Sequence, residues 1–136
     1  MRVWAQLMLL LLAQLFTAPA AFAFGATADA RLVEITAASD NTFHVAHEKS
    51  AIVRAHPGEL LRLHVTSQRG GEAARDGAVH SLVIRTLRSE GWDIRLYEGS
   101  HDYEVKAPAA PGEYVIECTV KCGRGHDDMR MKLLVE

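Results

Sequence analysis

Short runs of alternating apolar and polar residues limit the fold of this sequence more than any other feature. Leu61, Leu63 and Val65 alternate with more polar neighbours, and the same period of two governs residues 114–118 and 129–135. A period of two places every second side chain on one face of a β-strand. Because no long stretch after residue 23 follows the 3.6-residue period of a helix, the pattern predicts an all-β domain.

Glycine and proline pairs separate these runs at residues 57–58, 70–71 and 111–112, and such pairs are typical of turns. Many short strands joined by turns predict a two-sheet sandwich or a barrel. The polar and glycine-rich residues 68–77 are predicted to form a loop, and residues 99–102 a turn.

Length and charge exclude several classes of protein. A chain of 136 residues suits one domain, and its two cysteines are too few to replace an apolar core. The formal net charge is -2, with basic and acidic residues interspersed, so we expect no nucleic-acid partner. The sequence shows no Ser-His-Asp order and no nucleotide-binding glycine loop, and we therefore expect a protein that is not an enzyme.

The N-terminal segment predicts export. Arg2 precedes an apolar stretch over residues 3–16, and small side chains follow at Ala21 and Ala23, where a signal peptidase would cut. We predict a signal peptide over residues 1–23, a domain over residues 24–136, a periplasmic location and no membrane span after cleavage. A later cut at Ala30 is an alternative. Another is an uncleaved anchor, because the apolar segment is about long enough to span a bilayer.

The chemistry of the sequence is concentrated near its C-terminus, where Cys118, Cys122, His126 and Met129 lie within one short segment. Thiolate and thioether are soft ligands, and zinc sites rarely need methionine. A weak methionine ligand beside cysteine and histidine is typical of copper electron-transfer sites. His80, at the predicted start of an earlier strand, is the candidate for a second imidazole ligand.

The pattern Cys-x3-Cys-x3-His-x2-Met, with an upstream His-Ser, resembles the dinuclear copper (CuA) domain of cytochrome oxidase subunit II and nitrous oxide reductase. The resemblance covers residues 56–136 approximately and implies a Greek-key β-sandwich of the cupredoxin type. It also implies a ligand set, which consists of His80, Cys118, the backbone carbonyl of Val120, Cys122, His126 and Met129.

The resemblance assigns a role to each ligand. Cys118 and Cys122 would bridge two copper ions, and His80 and His126 would each bind one of them. Met129 would be a weak axial ligand. A single copper ion is the alternative to this dinuclear centre.

The sequence also departs from the family. Oxidase subunits usually have a glutamate where this chain has Val120, and that side chain helps to bind a metal at the interface with the catalytic subunit. Val120 keeps only its carbonyl, and Gly77 replaces an aspartate usual three residues before the histidine. The oxidase subunit has two membrane helices before its copper domain, whereas this chain has one removable segment. These departures favour a protein outside an oxidase complex.

Two functions remain open at this stage. The first is an exported CuA-type electron-transfer protein, whose partner would be a small exported redox protein such as a c-type cytochrome. The second is a periplasmic copper carrier or assembly factor that delivers copper to an acceptor or receives it from a chaperone. A structural zinc or disulfide module is the third reading, in which Cys118 and Cys122 form a bridge and Met129 is a core residue.

Overall fold

The computed structural model describes residues 29–136, so the predicted signal over residues 1–23 lies outside the described residues. The strands within this part of the chain are β1 (Arg31–Ala37), β2 (Phe43–Val45), β3 (Ile52–Ala55), β4 (Leu60–Ser67), β5 (His80–Val83), β6 (Asp93–Leu96), β7 (Gly99–Lys106), β8 (Gly112–Glu117) and β9 (Arg130–Val135). Two short 3-10 helices span Arg85–Glu90 and His126–Asp128. No helix among the described residues is long and apolar enough to cross a membrane.

The strands form two sheets, ordered β2-β1-β4-β7 and β3-β9-β8-β5-β6. Two neighbouring pairs, β1 with β4 and β3 with β9, are parallel, and the other neighbours are antiparallel. The connections β2–β3, β3–β4, β4–β5, β6–β7 and β7–β8 cross from one sheet to the other, whereas β1–β2, β5–β6 and β8–β9 stay within one sheet. The prediction of an all-β fold with two sheets is confirmed.

The alternating runs bury the side chains that the sequence pattern predicts. Leu61, Leu63 and Val65 of β4 are at most 1% exposed, and Met131 and Leu133 of β9 are similarly buried. Polar neighbours on the same strands face outward, which is the usual result when one face of a sheet packs on a core. The core thus lies between the two sheets.

The core is closed near β6 by Trp92, which is 0% exposed. Its indole Nε1–H donates a hydrogen bond to the backbone carbonyl of Lys106 at 2.9 Å, across the interval between β6 and the end of β7. This bond satisfies the one polar atom of a large apolar side chain. It also links the residue before β6, in one sheet, to the end of β7, in the other.

The loop predicted at residues 68–77 is present, since no strand occurs between Ser67 and His80. The turn predicted over residues 99–102 is wrong. Those residues begin β7, and each of them pairs with β4, including Asp102 opposite His64. The continuous ladder satisfies the backbone groups of this segment, and pairing along the whole of β4 outweighs its local turn propensity.

Candidate metal centre

His80 is the first residue of β5 and is 0% exposed. Its Nε2 lies 2.8 Å from the carbonyl oxygen of Gln68. Because a carbonyl only accepts, Nε2 must carry the proton, and a neutral ring then leaves the Nδ1 lone pair free. Burial lowers the pKa of His80 although the Gln68 carbonyl acts in the opposite direction, so the neutral ring is the favoured form. Nδ1 is buried and has no hydrogen-bond partner.

The two cysteines follow the end of β8 and are both buried and free. Their sulfur atoms are 3.9 Å apart, well beyond the length of a disulfide bond, which is about 2.05 Å. Two sulfurs bound tetrahedrally to one metal, with bonds of about 2.3 Å, would lie roughly 3.8 Å apart. The observed separation therefore matches two sulfurs that share a metal. The Cys118 thiol also donates to the carbonyl oxygen of Val120 at 3.2 Å.

His126 and Met129 approach Cys122 from the segment that leads into β9. The Cys122 sulfur is 3.6 Å from Nδ1 of His126 and 3.8 Å from Sδ of Met129. His126 begins the short 3-10 helix at His126–Asp128, and Met129 follows this helix directly. A hydrogen bond from the backbone N–H of Cys118 to the Met129 carbonyl, at 3.0 Å, closes this loop at its base.

Burial raises the pKa of the Cys122 thiol to about 12, and the neighbouring Cys118 thiol acts in the same direction. A thiol in this position keeps its proton at neutral pH unless a cation takes its place. Metal ligands must be deprotonated, so binding here would release protons. Cys122 is therefore expected to become a thiolate only when a bound metal neutralises it.

The donor set fits copper on two observations. Ligand atoms of His80, Cys118 and Cys122 all lie within 4.8 Å of one another. The Nδ1 atom of His80 is a buried acceptor without a partner, which is costly unless something binds it. Two thiols, two imidazoles and a thioether are a soft donor set, suited to copper. When bound, copper would supply a centre that takes up and gives back one electron.

One side of the cluster is open to solvent. A small cleft of about 90 Å³ lies over Cys118, His126 and Met129. Its polar wall includes Arg85 and Glu117, which form an ion pair. His126 is partly exposed, whereas His80 is fully buried, so the two imidazoles differ in their access to a partner.

The structure brings together the predicted side chains His80, Cys118, Cys122, His126 and Met129, with the Val120 carbonyl beside one sulfur. Sequence reasoning missed the groups that support them. Asn41 bonds to the ligand segment, and residues 68–72 contact both His80 and Cys122. A signal was available for Asn41, since Asp-Asn in a turn favours a left-handed backbone. No local pattern links residues 68–72 to the site.

Three solved structures similar to this chain share its fold. A heme-copper terminal oxidase dimer, solved by cryo-EM, matches with a TM-score of 0.57 and 19% identity, over 82% of this chain and 68% of that chain. The periplasmic domain of cytochrome oxidase subunit II of Bradyrhizobium japonicum matches with a TM-score of 0.51 and 16% identity, over 78% and 83%. Auracyanin B matches with a TM-score of 0.51 and 21% identity, over 79% and 89%.

The chain has the cupredoxin fold. No protein-family model matches the sequence, and no curated protein matches it either. Two independent observations thus indicate the same fold. One is the resemblance of the metal-ligand motif, and the other is the likeness to the solved structures. In this domain with the cupredoxin fold, the clustered donors lie at one end of the sandwich, where β5 begins and β8 ends.

Proposed function

We propose that this cupredoxin domain is an exported copper protein that transfers electrons through a dinuclear CuA-type centre. The observation that carries the proposal is the buried, unpartnered Nδ1 of His80 beside two free thiols 3.9 Å apart. A buried polar atom without a partner costs folding free energy, and a metal bound to this atom would offset that cost. The proposed ligands are those that the family motif implies, with His126 and Met129 completing the set.

The residues of this chain supply a rigid and dry ligand cage. Gln68 fixes the His80 ring through its carbonyl, and the backbone bond between Cys118 and Met129 fixes the two ends of the ligand segment. Val120, Cys122 and Met129 are at most 3% exposed, so water is excluded from one side of the centre. Ligands that are held before the metal arrives change little between redox states, which favours rapid electron exchange.

The proposal extends to partner and location. Export through residues 1–23 would place the domain in the periplasm, and a small redox protein such as a c-type cytochrome would be its partner. Contact would be made beside the cleft over His126, where this imidazole is partly exposed. Val120 offers no carboxylate for a catalytic subunit, which supports a protein that acts outside an oxidase complex.

Copper loading of the reduced, purified chain tests the proposal. We expect two copper ions per chain, a purple colour and the paramagnetic resonance spectrum of a delocalised mixed-valence pair. Cys118→Ser should abolish this spectrum, because a hydroxyl does not replace a bridging thiolate. His64→Ala is the matched histidine control, since His64 lies on the outer face of β4 and bonds Asp102. One copper with a blue spectrum would reject the dinuclear centre, and a colourless protein that prefers zinc would reject copper.

A second measurement separates electron transfer from copper delivery. The loaded protein is mixed with a reduced c-type cytochrome, and in a separate reaction with a metal-free copper acceptor. We expect fast oxidation of the cytochrome with copper retained on this chain through repeated cycles. Stoichiometric loss of copper to the acceptor, without turnover of electrons, would contradict the proposal and indicate a carrier.

A further inference from the structure

The segment from Cys122 to His126, here called the ligand loop, is held by a side chain from a distant turn. Asn41 lies between β1 and β2, is 4% exposed and has a left-handed backbone with φ of 63°. Its Nδ2 donates a 2.6 Å hydrogen bond to the backbone carbonyl of Arg124, at the centre of the ligand loop. A left-handed backbone is uncommon for residues other than glycine, and asparagine tolerates it best.

Residues 70–72, in the loop before β5, contact the same ligand loop from another side. A β-carbon added to Gly70 would lie 2.6 Å from the Cys122 carbonyl oxygen and 2.3 Å from Oδ1 of Asn41. The next glycine is different, because a β-carbon on Gly71 would meet nothing closer than 3.9 Å. The backbone N–H of Glu72 donates to the same Cys122 carbonyl at 3.1 Å.

The ligand loop is itself shaped for this close approach. Gly123 has φ of 116°, and a β-carbon there would come within 3.2 Å of the backbone nitrogen of Gly71. Gly125 has φ of 89° and lies against the backbone of Asp40. The backbone of the ligand loop therefore lies directly against the backbone of the loop before β5, because glycine occupies the contact positions on both. A β-carbon at Gly70 or Gly123 would push the two loops apart.

We propose that Asn41 and Gly70 are positioning residues that clamp the ligand loop closed and so set how quickly copper can leave the site. Opening of this loop would move Cys122 and His126 away from His80, which β5 keeps in place. The link to copper rests on the proposed function, whereas the opening of the loop is a property of the chain with or without metal. This clamp also gives a role to the loop between β4 and β5.

Alkylation of the reduced, metal-free chain by iodoacetamide measures the opening directly, because Cys122 is 0% exposed when the loop is closed. Gly70→Ala should raise the alkylation rate of Cys122 about tenfold, since its β-carbon cannot fit beside the Cys122 carbonyl. Gly71→Ala is the matched control, with the same chemical change one residue away and space for it. Its rate should stay within about twofold of the parent chain.

Asn41→Gly provides an independent variant that keeps the left-handed backbone and removes the side chain with its amide. We expect a rise in alkylation rate of similar size, because the Arg124 carbonyl loses its buried partner. His47→Gly is its control, since His47 has φ of 65° in an exposed turn away from the site. Hydrogen exchange of the β4 backbone amides, measured in parallel, should be unchanged by Asn41→Gly if the opening is local.

The copper-loaded variants complete the test through transfer of copper to excess chelator, which should be about tenfold faster in Gly70→Ala and Asn41→Gly than in their controls. Equal alkylation rates for Gly70→Ala and Gly71→Ala would overturn the clamp, as would faster β4 exchange in proportion to alkylation. A parent chain that binds no copper would refute the proposed function, and the alkylation rates would still decide whether the clamp exists.

Discussion

Replacing Met129 by leucine isolates the contribution of the thioether to the metal centre. Met129 lies 3.8 Å from the Cys122 sulfur and is 2% exposed. Met131 is also 2% exposed, two residues further on β9, and has no place in the proposed ligand set. The variants Met129→Leu and Met131→Leu therefore make the same change at equal burial, and they differ only in contact with the site.

The expected magnitudes separate packing from ligation. A swap of methionine for leucine nearly conserves volume and should cost each variant less than about 1.5 kcal/mol of unfolding free energy. In Met129→Leu the copper should remain bound, because cysteine and histidine hold it, and the reduction potential should rise by tens of millivolts. Apolar surroundings favour the redox state of lower charge, and a tenfold change in relative stability corresponds to about 59 mV for one electron.

Protein-film voltammetry of the copper-loaded variants measures the potential, and urea unfolding of the metal-free forms measures the packing cost. Met131→Leu should leave the potential within a few millivolts of the parent chain, about a tenth or less of the shift expected at the site. An equal shift in both variants would refute the axial role of Met129. Loss of copper in Met129→Leu would show that the thioether holds the metal rather than tuning it.

The remaining predictions concern the stability of the fold around the site. Trp92→Phe should lower the unfolding free energy by about 2–4 kcal/mol, measured by urea unfolding, because it leaves a cavity and removes the partner of the Lys106 carbonyl. The Arg31 guanidinium beside Glu59 holds the pKa of that carboxyl below its usual range. This ion pair therefore stabilises the fold above the unfolded pKa of about 4.5, and the contribution is lost as pH falls through the lower folded value. Glu59→Gln should accordingly destabilise the chain at neutral pH, and the difference between the urea midpoints of the parent chain and the variant should shrink as the pH falls below about 4.5.

The alternating segments were predictable because their burial is a local property. The sequence alternation predicts which side chains face the core in residues 61–65 and 131–135, and the structure buries those side chains as expected. The pairing of β1 with β4 was not predictable in the same way. Its parallel register, with Ile35 opposite Val65, depends on where other strands allow β1 to lie, and no turn joins the two.

The same distinction holds at the site. The four C-terminal donors are close in sequence, so their spacing alone predicted a shared centre. His80 was added as a histidine at the start of an earlier strand, a role that the family resemblance also implies. Apart from the Asn41 side chain, the groups that hold these donors are backbone atoms, such as the Gln68 carbonyl and the Glu72 N–H, which nearly every residue type possesses. The residue types at these positions therefore do not reveal which backbone groups support the site. Residues 99–102 failed as a turn for a related reason, since the ladder with β4 forms through space.

The position of β9 has a consequence for the order in which this protein becomes functional. β9 lies between β3 and β8, and Val53 pairs with Leu133, a contact between strands that are far apart in the chain. Contacts so distant along the chain close large loops and form slowly. Met129 directly precedes β9, so we expect the candidate ligands to come together only when β9 is in place beside β3 and β8. Copper would then bind only after both sheets have formed, so copper binding would indicate that this domain is folded.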